Sequence, residues 1–121
     1  MKDILKQAAI LLLFIFSANL YAEIVEVVVF SAKEGVSDER VLGAAEGMLD
    51  TMKKWDGFIS RELIRVGGGK WIDVVHWRDI ASAEAAQHKA MDSDLCLLFF
   101  SLLDDTNQQV YHGDKLLSQA K

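Results

Sequence analysis

Beyond residue 22 the chain alternates between runs with the two-residue period of strands and runs with helical spacing. Phe58 to Val66 and Lys70 to Arg78 are of strand length and rich in Ile, Val, Phe and Trp. Gly67-Gly68-Gly69 lies between them and can take positive φ without steric cost, so the stretch predicts a β-hairpin. Upstream, Ile24 to Ser31 is a nearly unbroken β-branched run that suits a central strand buried on both faces. Glu26 interrupts it, and a carboxylate there needs a partner or a wet cavity. Between these segments Ser37 reads as an N-cap, with Asp38 and Glu39 in the first helical turn. Val41, Leu42, Ala44, Ala45, Met48, Leu49 and Met52 then recur at helical spacing, the methionines as core filler. After the hairpin, Ser82 is expected to cap a helix through Ala90. Asp92-Ser93-Asp94 should break that helix and cap a third from Leu95 to Leu103, and Gln109 to Gly113 forms a short last strand.

Register decides which hairpin side chains meet, because a slip of one residue sends a strand's whole set to the other face. An even loop places Ile59, Leu63 and Arg61 with Ile72, Val74 and His76. Phe58, Ser60, Glu62 and Ile64 then share the opposite face with Trp71, Asp73, Val75 and Trp77. An odd loop puts Asp73 opposite Leu63, which costs more on a dry surface. The even register is therefore preferred.

The element order predicts an α+β fold, a ferredoxin-like βαββαβ sandwich with an antiparallel four-stranded sheet. The first and third strands lie in the middle, flanked by the second and fourth. Helices cover one face only. On the even register the aromatic and acidic face needs another cover, and a second copy of the chain would supply it by closing a dimeric α/β barrel around a cavity.

The first residues change the address more than the fold. Lys2 and Lys6, the apolar run Ala8 to Phe16 and a short polar stretch ending in Ala22 have the three-part form of a signal peptide over 1–22. The expectation is a single mature domain, 23–121, that is periplasmic or secreted and free of the membrane after cleavage. Losing Lys2, Lys6 and Asp3 takes the formal net charge from −5 to −6. An acidic domain without a basic stripe is not built for nucleic acid, where phosphate neutralisation supplies most of the affinity. Cys96, the single cysteine, sits in an apolar run without a basic neighbour and reads as core.

Candidate chemistry falls into three groups. On the even register Arg61 neighbours His76, and like-charge repulsion would keep the imidazole neutral as a possible base. The alternative is that both cap the sheet end through Glu62 or Asp79. Trp71, Asp73 and Trp77 on one face could be the wall of a pocket for a planar ligand or the dimer seam itself. His76, His112 and Glu26 are metal-ligand types, but strands flanking a third lie about 10 Å apart, too far for two ligands of one ion. No metal is expected.

Gly57-Phe58-Ile59-Ser60-Arg61-Glu62, Trp71-Ile72-Asp73-Val74-Val75-His76-Trp77 and the helix start Ser82-Ala83-Glu84-Ala85 resemble the dimeric α/β-barrel superfamily, in particular its antibiotic-biosynthesis-monooxygenase-like (ABM-like) domains. The resemblance spans nearly all of 24–113. It implies a homodimer and, among several activities, cofactor-independent oxygenation in a snug aromatic cavity. The haem-degrading branch carries an Asn on the first strand, a Trp in the second helix and a His further along. This chain lacks all three. The resemblance thus favours a monooxygenase without a cofactor, acting on an aromatic or quinol-like molecule. His76 or Asp73 would be the base and Arg61 would steady developing negative charge. Trp71, Trp77, Glu26, Phe58, Glu62 and His112 would contact the substrate. The competing expectation is a non-catalytic domain that holds a small hydrophobic ligand or only closes the dimer.

Overall fold

The computed structural model describes residues 22–121, so all but the last residue of the predicted signal peptide lies outside the described residues. The elements are β1 (Ile24–Ser31), α1 (Asp38–Met52), β2 (Phe58–Gly67), β3 (Lys70–Trp77), α2 (Ile80–Met91), α3 (Asp94–Ser101), a 3-10 turn (Asp105–Asn107) and β4 (Gln109–Asp114). The strands form one four-stranded sheet in the order β2-β3-β1-β4, with every neighbouring pair antiparallel. This is the expected α+β ferredoxin-like arrangement, with β1 and β3 in the middle.

Local chemistry starts and stops the helices. Ser37 accepts from the Arg40 amide at the start of α1, and Ser93 accepts from the Cys96 amide at the start of α3. The expected Ser82 cap is corrected to Asp79, whose carboxylate accepts from both the backbone amide and the hydroxyl of Ser82. An ionised acceptor satisfies the free amides of a first turn better than a hydroxyl does, so the helix begins earlier. Gly57, at φ +85°, turns the chain from α1 into β2 and accepts the Arg78 amide at 2.8 Å. A β-carbon at this position would overlap the Ser82 side chain, so the start of α2 is packed directly on the glycine.

The hairpin register is the main correction. Gly67 pairs with Lys70 around a two-residue Gly68-Gly69 turn, which is the even loop expected. Register then shifts between Arg65 and Gly67, leaving Val66 as an extra residue, and Leu63 comes to face Asp73. A second shift between Phe58 and Ser60 restores Phe58 to Trp77. As a result Arg61 lies opposite Val75 and shares the face of Trp71, Asp73 and Trp77, while His76, Glu62 and Ile64 point the other way. Arg61 and His76 are not neighbours on one face.

The helices lie over the aromatic and acidic face, not over its opposite. Ile24, Phe30, Trp71, Val75 and Trp77 from the sheet pack with Val41, Ala45, Met48, Met52, Ala83, Ala86, Ala90, Cys96 and Phe99 from the helices. Each large apolar side chain removed from water here contributes roughly 1.5–3 kcal/mol. Phe30 stacks on Trp71 at 6.4 Å and meets Phe99 edge-on at 5.7 Å. The alanines of α2 let that helix approach the sheet closely. The face left without helices carries Val25, Val27, Val29, Ile72 and Val74, with Ile64 and Tyr111 exposed beside them. It is the apolar face, and not the tryptophans, that lacks a cover among the described residues.

Hydrogen bonds from Ser82 hold the Asp79 carboxyl below its ordinary value of 3.8. A lowered folded-state pKa contributes stability that is complete above 3.8 and is lost as pH falls through the lowered value. Asp79→Ala should therefore cost about 1 kcal/mol in urea unfolding at neutral pH. The difference from wild type should vanish in strong acid; a difference independent of pH would contradict this account.

Candidate functional site

On the α-helical side of the sheet two carboxylates, Asp73 and Glu26, border the same hollow, and they are satisfied differently. Asp73 sits mid-strand on β3, and Arg61 reaches it diagonally from β2. Arg61 Nε donates to Oδ1 at 2.9 Å and Nη2 to Oδ2 at 2.6 Å. The remaining arm, Nη1, donates to the Ala45 carbonyl of α1 at 2.9 Å, and the guanidinium carbon lies 5.1 Å from the centre of the Phe99 ring. The side chains are 3% and 8% exposed. Both oxygens of Asp73 and all three nitrogens of Arg61 are thus engaged, and the pair ties β2, β3, α1 and α3 together.

Glu26 projects from β1 on the same side, directly opposite His112 of β4. Its Oε2 lies 2.7 Å from His112 Nε2, which donates when the carboxylate is ionised. The glutamate side chain is 17% exposed and the histidine 34%. Among the described residues no group hydrogen-bonds to Glu26 Oε1.

Between these carboxylates and the helices lies a cavity of about 480 Å³. Its floor is Glu26, Val28, Asp73, Val75, Trp77 and Val110 from the sheet. Met48, Met52 and Trp55 from α1 and the turn after it, alanines of α2 and Phe99 of α3 close the sides, and Gln87, His88 and Gln108 stand at the exposed rim. The volume lies in the range of pockets for drug-sized ligands, and the walls are mostly apolar with few polar groups, as such pockets are. Trp77 adds a buried indole Nε1 that has no hydrogen-bond partner among the described residues.

No protein-family model matches the chain, and no curated protein matches it either. Solved structures do. SnoaB, a cofactor-independent oxygenase from Streptomyces nogalater, aligns over 82% of this chain and 96% of its own, with TM-score 0.58 and 15% identity. A candidate antibiotic biosynthesis monooxygenase from Bordetella bronchiseptica aligns over 79% and 99%, with TM-score 0.63 and 16% identity. Rv0793 from Mycobacterium tuberculosis aligns over 82% and 100%, with TM-score 0.63 and 14% identity. The fold is that of the ABM-like proteins.

On this ABM-like fold the nominated residues separate into three places. Asp73, Trp77 and Glu26 line the cavity, with Arg61 behind Asp73 and His112 behind Glu26. Trp71 is buried against Phe30, and Phe58 packs edge-on against Trp77 at 5.8 Å; neither lines the cavity. His76 and Glu62 stand on the helix-free face, where His76 Nδ1 lies 3.1 Å from Glu23 and Nε2 lies 3.9 Å from Glu62. His76 and His112 consequently point to opposite faces of the sheet. Glu23 also accepts from Lys115 at 3.1 Å, and these two contacts, Lys115 first, hold its carboxyl below the usual range.

Sequence reasoning missed Trp55, Met48, Met52, Phe99 and the rim residues as cavity walls. The methionines are core as expected and Phe99 is core beside them, and helical spacing cannot tell a residue that fills a core from one that bounds a hollow in it. Trp55 did leave a signal, being a large aromatic in a polar turn with no strand or helix period to account for it.

The Arg61–Asp73 pair yields a sharp expectation. Arg61→Met leaves a buried carboxylate alone and should cost about 3–5 kcal/mol of unfolding free energy, while Arg61→Met with Asp73→Leu should regain most of that loss. Equal losses in the single and double variants, measured by urea unfolding, would show that the pair is not buried as described.

Proposed function

We propose that this chain binds a planar aromatic or quinol-like molecule in the cavity between its sheet and helices and oxygenates it in the manner of a cofactor-independent monooxygenase. The observation that carries the reading is the 480 Å³ hollow itself, walled by tryptophan, phenylalanine and methionine around a very small polar set. The likeness of fold to SnoaB adds support for the reaction class. Flat aromatic walls favour a flat ligand, and desolvation inside them strengthens any charge interaction with the acids on the floor.

In this reading the cavity belongs to a single protomer. His76 stands outside it and Asp73 has both oxygens bonded to Arg61, so in this reading the base is neither of these two but Glu26, the cavity-lining carboxylate without an arginine partner. Arg61 acts through Asp73, by fixing the floor. The engagement of Asp73 and Arg61 with each other favours a second reading, a ligand-binding domain without catalysis, since every oxygen of the one and every nitrogen of the other already has a protein partner. The two readings separate in one measurement. Pure protein with dihydroxynaphthalene in air should consume dioxygen faster than a protein-free control; tight binding without added uptake would leave the carrier reading.

A second copy of the chain is the cover we propose for the helix-free face. Val25, Val27, Val29, Ile72 and Val74 form a continuous apolar strip there, of the kind that marks an interaction surface, and the symmetric pairing of two such faces closes a barrel. The domain should sediment as a dimer at micromolar concentration, and Val27→Glu should turn it into a folded monomer. A wild-type monomer would end this proposal while leaving the cavity untouched.

A further inference from the structure

We propose that the indole N–H of Trp77 is the group that selects a ligand in the cavity, and that it favours uncharged molecules presenting a carbonyl oxygen. The inference rests on the cavity being a ligand site and adds the polar group that discriminates among what enters it.

Trp77 is the last residue of β3, and its side chain stands in the cavity wall on the helix side of the sheet. It is 2% exposed, and its Nε1 is the only buried side-chain nitrogen or oxygen without a hydrogen-bond partner among the described residues. An indole N–H can only donate, so what it lacks is an acceptor. Its surroundings do not offer one. Phe58 packs edge-on against it at 5.8 Å and has no lone pair. Val75 on the same strand and Ala83 and Ala86 of α2 bring only hydrocarbon side chains to the wall. A donor buried in this way has given up its bonds to water and gained none in return, and such groups are few in folded proteins. A ligand that carries an oxygen lone pair to Nε1 restores the missing bond.

Charge decides which acceptor. Glu26 and Asp73 stand on the floor, no lysine or arginine among the described residues lines the cavity, and the three nitrogens of Arg61 behind Asp73 are engaged. A carboxylate ligand would meet two acids with no free cation, whereas a ketone presents its lone pairs without a charge. A hydrocarbon of the same shape fills the hollow equally well but leaves the indole unpaired. The difference between ketone and hydrocarbon is the selectivity.

The test is calorimetric titration of the purified protein with fluorenone, fluorene and fluorenecarboxylate, in wild type and in Trp77→Phe, which keeps an aromatic wall and removes the donor. The affinity ratio of fluorenone to fluorene should fall about tenfold in Trp77→Phe. Fluorenecarboxylate should bind the wild type more weakly than fluorenone does. In nitrogen-edited NMR spectra, the indole resonance missing from Trp77→Phe should move downfield with fluorenone and not with fluorene. Trp55→Phe and Trp71→Phe identify that resonance by elimination should Trp77→Phe not fold. An unchanged ratio, or an indole shift equal for ketone and hydrocarbon, would overturn the inference and leave the cavity reading in place. Tighter binding of the carboxylate than of fluorenone would overturn it as well. Failure of all three compounds to bind would remove the cavity reading and this inference with it.

Discussion

A carboxylate in the middle of a strand, covered by helices, is tolerable only with a partner that meets both of its oxygens. Asp73 has such a partner in Arg61, and much of the architecture follows from bringing the two together. The guanidinium must come from β2 on the same face as Asp73, which fixes the hairpin register. Its third nitrogen reaches the Ala45 carbonyl, which ties α1 to the sheet, and its central carbon lies over the ring of Phe99 of α3. Replacing such a pair with apolar side chains is often harmless to stability, so its value here lies in specifying one register among those that the glycine turn allows.

The register in turn decides what each face of the sheet is for. With Val66 bulged, Arg61 and Leu63 of β2 join Trp71, Asp73 and Trp77 beneath the helices, and the apolar strip of β1 and β3 is left facing outward. The side with tryptophans and acids becomes an internal chamber, and the valine strip becomes a docking surface. The expectation that a second copy would cover the aromatic and acidic face reversed the covers of the two faces, because Asp73 can lie beneath the helices only with the guanidinium of Arg61 beside it.

The chamber exists because the residues that line it do not fill it. Alanines along α2 bring that helix close to the sheet, yet their short side chains leave space above Val75 and Trp77. Into that space the sheet presents one saturated acid and one that is half satisfied. The difference between them is a matter of partners: an arginine can serve both oxygens of a carboxylate with fixed geometry, whereas a single imidazole nitrogen serves one. Function, in the reading favoured here, grows from the acid whose needs the protein does not meet in full.

Periodicity and end signals were enough to determine the elements, their order and the ferredoxin-like topology, because these depend on local pattern and on the handedness of connections. The Ser37 cap, the buried Cys96, the glycine turn and the central place of β1 were all legible in that way, and Glu26 announced its need for a partner by interrupting a β-branched run. Tertiary structure alone decided the hairpin register, the pairing of Arg61 with Asp73 and of Glu26 with His112, and the cavity inside one protomer. A bulge carries no compositional mark at Val66, and the cost assigned to Asp73 opposite Leu63 vanishes only when a guanidinium two residues along the partner strand is seen to reach it. Local pattern sets where a side chain can point; which charged groups find each other in the interior is settled by contacts between residues far apart in sequence.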